Sequence, residues 1–236
     1  MAEVGIVSRF NQLVKEIADV SKQFGKTVPR LVAVSKLKPA SDIQCIYDLN
    51  HRHFGENYVQ ELMEKSDILP KDIKWHLIGH LQSQKCNALI KKVPGLWCVE
   101  SVDSEKLADK LNSACVNAER QTPLNVFVQV HTSDEETKTG CLPSETIDIV
   151  RHICVSCPHL HFMGLMTIGK LEAEPTPYFR MLVDLKNKVK TELSEYIKED
   201  IELSMGMSGD WKTAIEEGST NIRVGSTIFG ARNYTH

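Results

Sequence analysis

One lysine of this chain sits in a context that favours covalent chemistry. Leu31-Val32-Ala33-Val34 is an apolar run of the kind that forms a short strand buried on both faces. It stops abruptly at Ser35-Lys36, and Pro39 follows where a helix can begin. Lys36 therefore marks the emerging end of an inner strand, the end at which parallel α/β folds bind ligands. Neighbours that half-bury it disfavour the ammonium form, so the amine can attack a carbonyl. The same position also suits a lysine that lays its stem on the core and keeps its head in water.

Two later stretches bear on that choice. Leu203-Ser204-Met205-Gly206-Met207-Ser208-Gly209-Asp210 precedes a short helix, and Ser208 reads as its N-cap, with its hydroxyl among the free amides of the helix start. Arg223-Val224-Gly225-Ser226-Thr227 ends the last strand. Gly225 lets the backbone approach a ligand closely, and the amides and hydroxyls of Ser226 and Thr227 follow it. Two such loops in this order suit a phosphate. Arg223 is expected to point inward between them. An imine-forming lysine, an arginine and a phosphate cradle together call for a phosphorylated aldehyde. Pyridoxal phosphate is one, and phosphosugars are others.

The elements that would position these residues follow from periodicity. Val4, Val7, Phe10, Leu13, Val14, Ile17, Val20 and Phe24 lie at helical spacing, so residues 2–24 are expected to form an amphipathic helix capping one end of the core. Strands are expected at 31–35, 53–55, 75–79, 96–99, 126–130, 162–167, 201–204 and 222–225. Helices are expected at about 40–50, 56–69, 82–92, 103–120, 142–156, 176–198 and 209–217. Strands alternating with helices make right-handed βαβ units, and eight strands with seven intervening helices close into an α/β barrel of the (β/α)8, TIM-like type. No linker or repeat divides the chain, so a single domain over residues 1–236 is expected. Other strand ends offer Glu56, Asn57 and Tyr58, then His76, Gly79 and His80, then His131-Thr132-Ser133 with Lys138, then Met166-Thr167. His76 and His80 also suit hydrogen-bonded core positions, and Asn57 also suits a helix cap.

Composition excludes several functions. The net charge of -3 leaves no basic excess to neutralise nucleic-acid phosphates. No apolar run approaches a membrane span, and no apolar segment near the N-terminus reads as a signal peptide. A cytoplasmic protein is expected, with a mitochondrial pool left open. Seven scattered cysteines, an odd number, point to reduced thiols. Cys154-Val155-Ser156-Cys157 has C-x-x-C spacing but lies at the tail of a helical run with no second pair nearby, so neither metal nor redox chemistry is expected from spacing. Asn233-Tyr234-Thr235 matches a glycosylation acceptor, which has no meaning without secretion.

Several of these stretches carry a resemblance. Val32-Ala-Val-Ser-Lys36, Phe54-Gly-Glu-Asn-Tyr-Val-Gln-Glu61, Trp75-His-Leu-Ile-Gly-His-Leu-Gln82, Gly164-Leu-Met-Thr-Ile-Gly169, Leu203-Ser-Met-Gly-Met-Ser208 and Arg223-Val-Gly-Ser-Thr-Ile-Phe-Gly230 together resemble the pyridoxal phosphate homeostasis proteins, from about residue 30 to Tyr234. The resemblance implies a barrel like the N-terminal domain of alanine racemase, with pyridoxal 5'-phosphate held as an imine on Lys36. It implies that Ser208, Gly225 and Ser226 meet the phosphate, Arg223 faces the pyridine nitrogen, and Asn57 lies beside the cofactor. His131 departs from the asparagine usual at that point of the family.

The resemblance further implies binding, storage and delivery of the cofactor, with pyridoxal phosphate-dependent apoenzymes as recipients and little or no catalysis. Alanine racemase takes a second base from an added β domain, and this chain stops directly after its eighth strand. Arginine at the pyridine nitrogen would also weaken the ring as an electron sink. The alternatives are an amino-acid racemase using Tyr58 or Lys138 as second base, and a phosphosugar lyase using Lys36 without pyridoxal phosphate.

Overall fold

The computed structural model describes residues 2–133, 139–170 and 172–231, with residues 2–4 as backbone only. Lys138 and the Asn233–Thr235 acceptor lie outside the described residues. The N-terminal helix α1 is Ala2–Gln23. Eight strand-helix units follow: β1 Arg30–Val34 and α2 Ala40–Tyr47, β2 His53–Glu56 and α3 Val59–Ile68, β3 Lys74–Leu77 and α4 Cys86–Lys92, β4 Leu96–Val102 and α5 Glu105–Asn117, β5 Leu124–Gln129 and α6 Thr146–Ser156, β6 Leu160–Met166 and α7 Thr176–Glu192, β7 Glu202–Ser204 and α8 Trp211–Glu216, β8 Asn221–Val224 and the single-turn α9 Ser226–Phe229. Each strand pairs in parallel with the next, and β8 closes on β1 with Val32 beside Arg223 and Ala33 beside Val224. The structure is the expected (β/α)8 barrel.

The main apolar core lies between the sheet and the helices, where Phe54, Trp75, Leu89, Leu111, Val150 and Leu182 are buried. Inside the barrel Cys98, Phe127 and Met166 form a separate small cluster. The remaining interior is polar. Glu100 on β4 touches Ser204 on β7 and Asn221 on β8, and strands so far apart around the ring can meet only within it.

The strand expected at 96–99 runs on to Val102, and the polar Glu100 and Ser101 on its added length are buried. Most helices are shorter than the apolar periodicity: 103–120 contracts to Glu105–Asn117 and 176–198 to Thr176–Glu192. In α1 the buried stripe is Ile6, Phe10, Leu13 and Ile17, whereas Val14 is exposed. That helix packs on α2, α8 and α9, and Arg9 Nε donates to the Ile228 carbonyl at 2.8 Å. No helix among the described residues is long and apolar enough to cross a membrane.

Candidate functional site

Lys36 leaves β1 in a tight turn. The Lys38 amide donates to the Ser35 carbonyl at 3.1 Å, and Leu37 takes a left-handed backbone, with φ of 61°. That conformation is costly for a branched side chain, so the surroundings must hold it. Glu61, in the first turn of α3, does so by accepting the Leu37 amide at 2.6 Å. Beneath the turn Lys65 reaches three oxygens: the Ser35 carbonyl at 2.8 Å, Glu56 Oε1 at 2.7 Å and Glu61 Oε1 at 2.7 Å. The Ser35 hydroxyl also donates to Glu56 Oε1, at 2.5 Å. Burial pushes the Glu56 carboxyl up to about 7 against the pull of Lys65 and Ser35, and its Oε2 has no partner among the described residues. The half-buried Lys36 is thus carried on a turn braced by two carboxylates and a buried ammonium.

The opposite wall comes from β7 and β8. Ser208 is not the N-cap expected from sequence. Asp210 occupies that position, and its carboxylate instead accepts the Met207 amide at 2.6 Å, folding the turn that carries Ser208. The Ser208 hydroxyl accepts the Gly225 amide at 3.2 Å. Gly225, directly after β8, packs against the end of β1: a Cβ there would lie 3.1 Å from the Val34 carbonyl oxygen and 3.3 Å from Val34 Cβ. Ser226 and Thr227 then open α9, and the first amides of a helix have no partner within it.

Arg223 lies between the walls and is 4 % exposed. Its Nη1 donates to Ser204 Oγ at 2.5 Å and its Nη2 to the Thr167 carbonyl at 2.9 Å, with Glu100 Oε2 at 3.9 Å. Glu100 also accepts from Ser204 at 2.5 Å and meets His76 Nδ1 at 2.6 Å. Burial opposes its charge, but His76, Arg223 and Ser204 together hold its carboxyl below the ordinary range. Burial pushes the His76 imidazole below its ordinary range, against the pull of Glu100. A neutral His76 that donates from Nδ1 presents a bare Nε2 to His53 Nδ1, 2.9 Å away. The guanidinium thus caps a buried chain running down the barrel axis.

Lys36, Asn57, Ser208, Arg223, Gly225 and Ser226, the six residues picked from sequence, all line one cleft of about 650 Å³ at the C-terminal ends of the strands. Ile78, Ile168 and Met207 supply apolar walls, and Lys170, Glu172 and Asp210 further charges. Asn57 does not cap α3: the cap position is Tyr58, with no side-chain bond, and Asn57 Oδ1 is buried without a partner among the described residues. Of the other candidates, Glu56 lies beneath the Lys36 turn and the Thr167 carbonyl holds Arg223, while the following lie elsewhere. His76 is in the barrel interior, and Tyr58 and His80 are exposed. His131, Thr132 and Ser133 line a separate depression with Leu142 and Tyr178. Sequence reasoning missed Glu61, Glu100 and Asp210, since only the fold shows what each carboxylate holds.

The chain is 53% identical to the pyridoxal phosphate homeostasis protein of Mus musculus over 216 residues, covering 88% of this chain and 78% of that one. This chain belongs to the pyridoxal phosphate homeostasis protein family. Its barrel is also similar to PipY of Synechococcus elongatus in a structure with PLP bound, with a TM-score of 0.81 and 30% identity over 95% of this chain and 100% of PipY. Alanine racemase from Corynebacterium glutamicum shares the fold, with a TM-score of 0.70 and 15% identity over 97% of this chain and 62% of the racemase. No family model matches the chain. Family membership accords with the resemblance carried by the Lys36, Asn57, Ser208 and Arg223 motifs.

Proposed function

We infer that the cleft binds pyridoxal phosphate and that the chain is a cytoplasmic carrier of this cofactor, holding it as an imine on Lys36 and passing it to apoenzymes. The observation that carries this reading is the convergence of Lys36, Asn57, Ser208, Arg223, Gly225 and Ser226 on one cleft with an amine at one wall and a hydroxyl- and amide-rich cradle at the other. The fit is supported at two further points. The Asn57 amide has an unsatisfied buried oxygen at the cleft wall, and Gly225 keeps the cradle open where any side chain would press on β1.

When bound, the cofactor supplies an aldehyde that condenses with an amine and a ring that can accept electrons. Lys36 Nζ is the capturing amine. The Ser208 and Ser226 hydroxyls, with the first amides of α9, receive the phosphate. Arg223, fixed by Ser204 and Thr167, donates toward the ring nitrogen and cannot hand over its proton. That favours holding over turnover.

The test is an optical spectrum of the purified protein before and after borohydride, followed by peptide mass spectrometry. Visible absorbance that borohydride abolishes, with the adduct on Lys36, is the expected result. An adduct chiefly on Lys170, which lines the same cleft, or on another lysine would overturn the assignment. Absence of any chromophore after incubation with pyridoxal phosphate would overturn the whole reading.

A further inference from the structure

A second group of chemically competent side chains lies outside the barrel, between α5 and α6, and none of it lines the cleft. Asp109 on α5, His152 on α6 and Cys157, which terminates α6, present a carboxylate oxygen, an imidazole nitrogen and a thiol sulfur, all within 4.8 Å of one another. His152 Nε2 lies 2.7 Å from Asp109 Oδ1, and the Cys157 thiol donates to the same oxygen at 3.8 Å. On the far side of the imidazole, Nδ1 lies 3.9 Å from Glu105 Oε2.

We propose that Asp109, His152 and Cys157 form a binding site for a zinc-like divalent cation, with Glu105 orienting the histidine. Donors at bonds of about 2.0–2.3 Å in a tetrahedral site stand about 3.3–3.8 Å apart. The sulfur and oxygen already have that spacing, the histidine nitrogen lies within 4.8 Å of the sulfur, and His152 must draw back from Asp109 to make room for the ion. One thiolate, one imidazole and one carboxylate select zinc, cobalt or nickel over magnesium or calcium, which take oxygen donors. Three protein ligands leave a fourth position for water.

The protons balance. The metal–sulfur bond forms as the Cys157 thiol proton leaves to solvent. His152 gives its Nε2 lone pair to the metal, so its single proton moves to Nδ1, where Glu105 accepts it. A carboxylate that orients a ligating histidine in this way is common in metal sites. Solvent reaches the site from one side, where the Asp109 side chain is 56% exposed and that of His152 22% exposed, with the Cys157 sulfur buried behind them. The other such cluster among the described residues, His76, Cys98 and Glu100, lacks that property. It is fully buried in the barrel, and its carboxylate is already bonded to His76, Ser204 and Asn221. C-x-x-C spacing gave no reason to expect a site, because the decisive ligands come from a different helix and from the middle of α6.

The test is a titration of the reduced, chelator-treated full chain with cobalt(II), read by absorbance. One ion per chain is expected, with the intense visible bands of tetrahedral cobalt and a thiolate charge-transfer band. Cys157→Ser should lose the charge-transfer band, and His152→Gln, at a partly buried position, should lose the tetrahedral bands. Glu105→Gln should weaken binding roughly 10–100-fold. Absence of tetrahedral bands in the wild-type chain, or bands unchanged in His152→Gln, would overturn the site. Circular dichroism of each variant separates a lost ligand from a lost fold.

Discussion

The Ser208 hydroxyl accepts the Gly225 amide at 3.2 Å, which ties the loop after β7 to the loop after β8. A hydroxyl whose lone pair is occupied by an amide keeps its own hydrogen to donate. Ser208 is therefore poised to give a charge-assisted hydrogen bond to a phosphate oxygen. Replacing Ser208 and Ser226 together by alanine should weaken pyridoxal phosphate binding by about 1.5–3 kcal/mol for each lost bond. Pyridoxal, which lacks the phosphate, should bind almost as before. Fluorescence titrations with the two ligands give the comparison, and equal losses for both would show that the cradle lies elsewhere.

Gly225 makes a second, steric prediction. In Gly225→Ala the new methyl lies 3.1 Å from the Val34 carbonyl oxygen, two residues before Lys36. β8 must then move away from β1 by a few tenths of an ångström, spreading the amine wall from the phosphate wall. Pyridoxal phosphate affinity should fall at least tenfold, about 1.4 kcal/mol, while thermal stability drops only a little. A melting temperature that collapses with unchanged affinity would contradict this.

How far the sequence reveals such relationships depends on their range. The barrel was legible because strand runs and helix periods alternate, and Lys36, Ser208, Arg223, Gly225 and Ser226 were legible because each sits at a strand end or in a glycine-bearing loop. Glu100 was not legible: a charged residue after Val99 reads as a strand terminus unless His76, Ser204, Asn221 and Arg223 are known to surround it. Ser208 was misread as a cap for a similar reason. Serine and aspartate are both good caps, and only the fold shows that Asp210 takes the position and turns its carboxylate to the Met207 amide, leaving the serine to Gly225.

Buried charge beneath the Lys36 turn gives a prediction in pH. The folded protein raises the Glu56 carboxyl from 4.5 to about 7, mainly by burial. Below about 4.5 both folded and unfolded chains carry the proton, so Glu56 contributes no pH dependence. Between 4.5 and 7 the unfolded chain releases the proton first, so stability from this group falls as pH rises, and above 7 the loss is complete. The whole effect is on the order of 3 kcal/mol. Glu56→Gln removes the titration, so wild-type stability should decline relative to this variant from pH 5 to pH 8. Urea melts of both proteins across that range would reveal it, and parallel curves would refute it.

The last prediction concerns turnover. The holo protein should not racemise, transaminate or decarboxylate common amino acids at an enzyme-like rate. Removing an α-proton needs a ring that accepts the electrons and a base on each face for racemisation. Arg223 is 4 % exposed, bonded to Ser204 and Thr167 and faced by Glu100, so it stays a donor, and a ring nitrogen against it stays unprotonated. Lys36 is tethered to one wall and serves one face. Tyr58, a candidate for the other face, does not line the cleft, whereas Lys170 does. A general base at the other face is worth about 10²–10⁴-fold, so Lys170 is the residue whose replacement decides the point. Proton exchange of L-amino acids in deuterated water, followed by NMR, measures the rate directly. Rapid exchange that disappears in both Lys36→Ala and Lys170→Ala would establish a two-base racemase and overturn the carrier reading. Exchange near the rate of free pyridoxal phosphate, unchanged in Lys170→Ala, is the expected outcome.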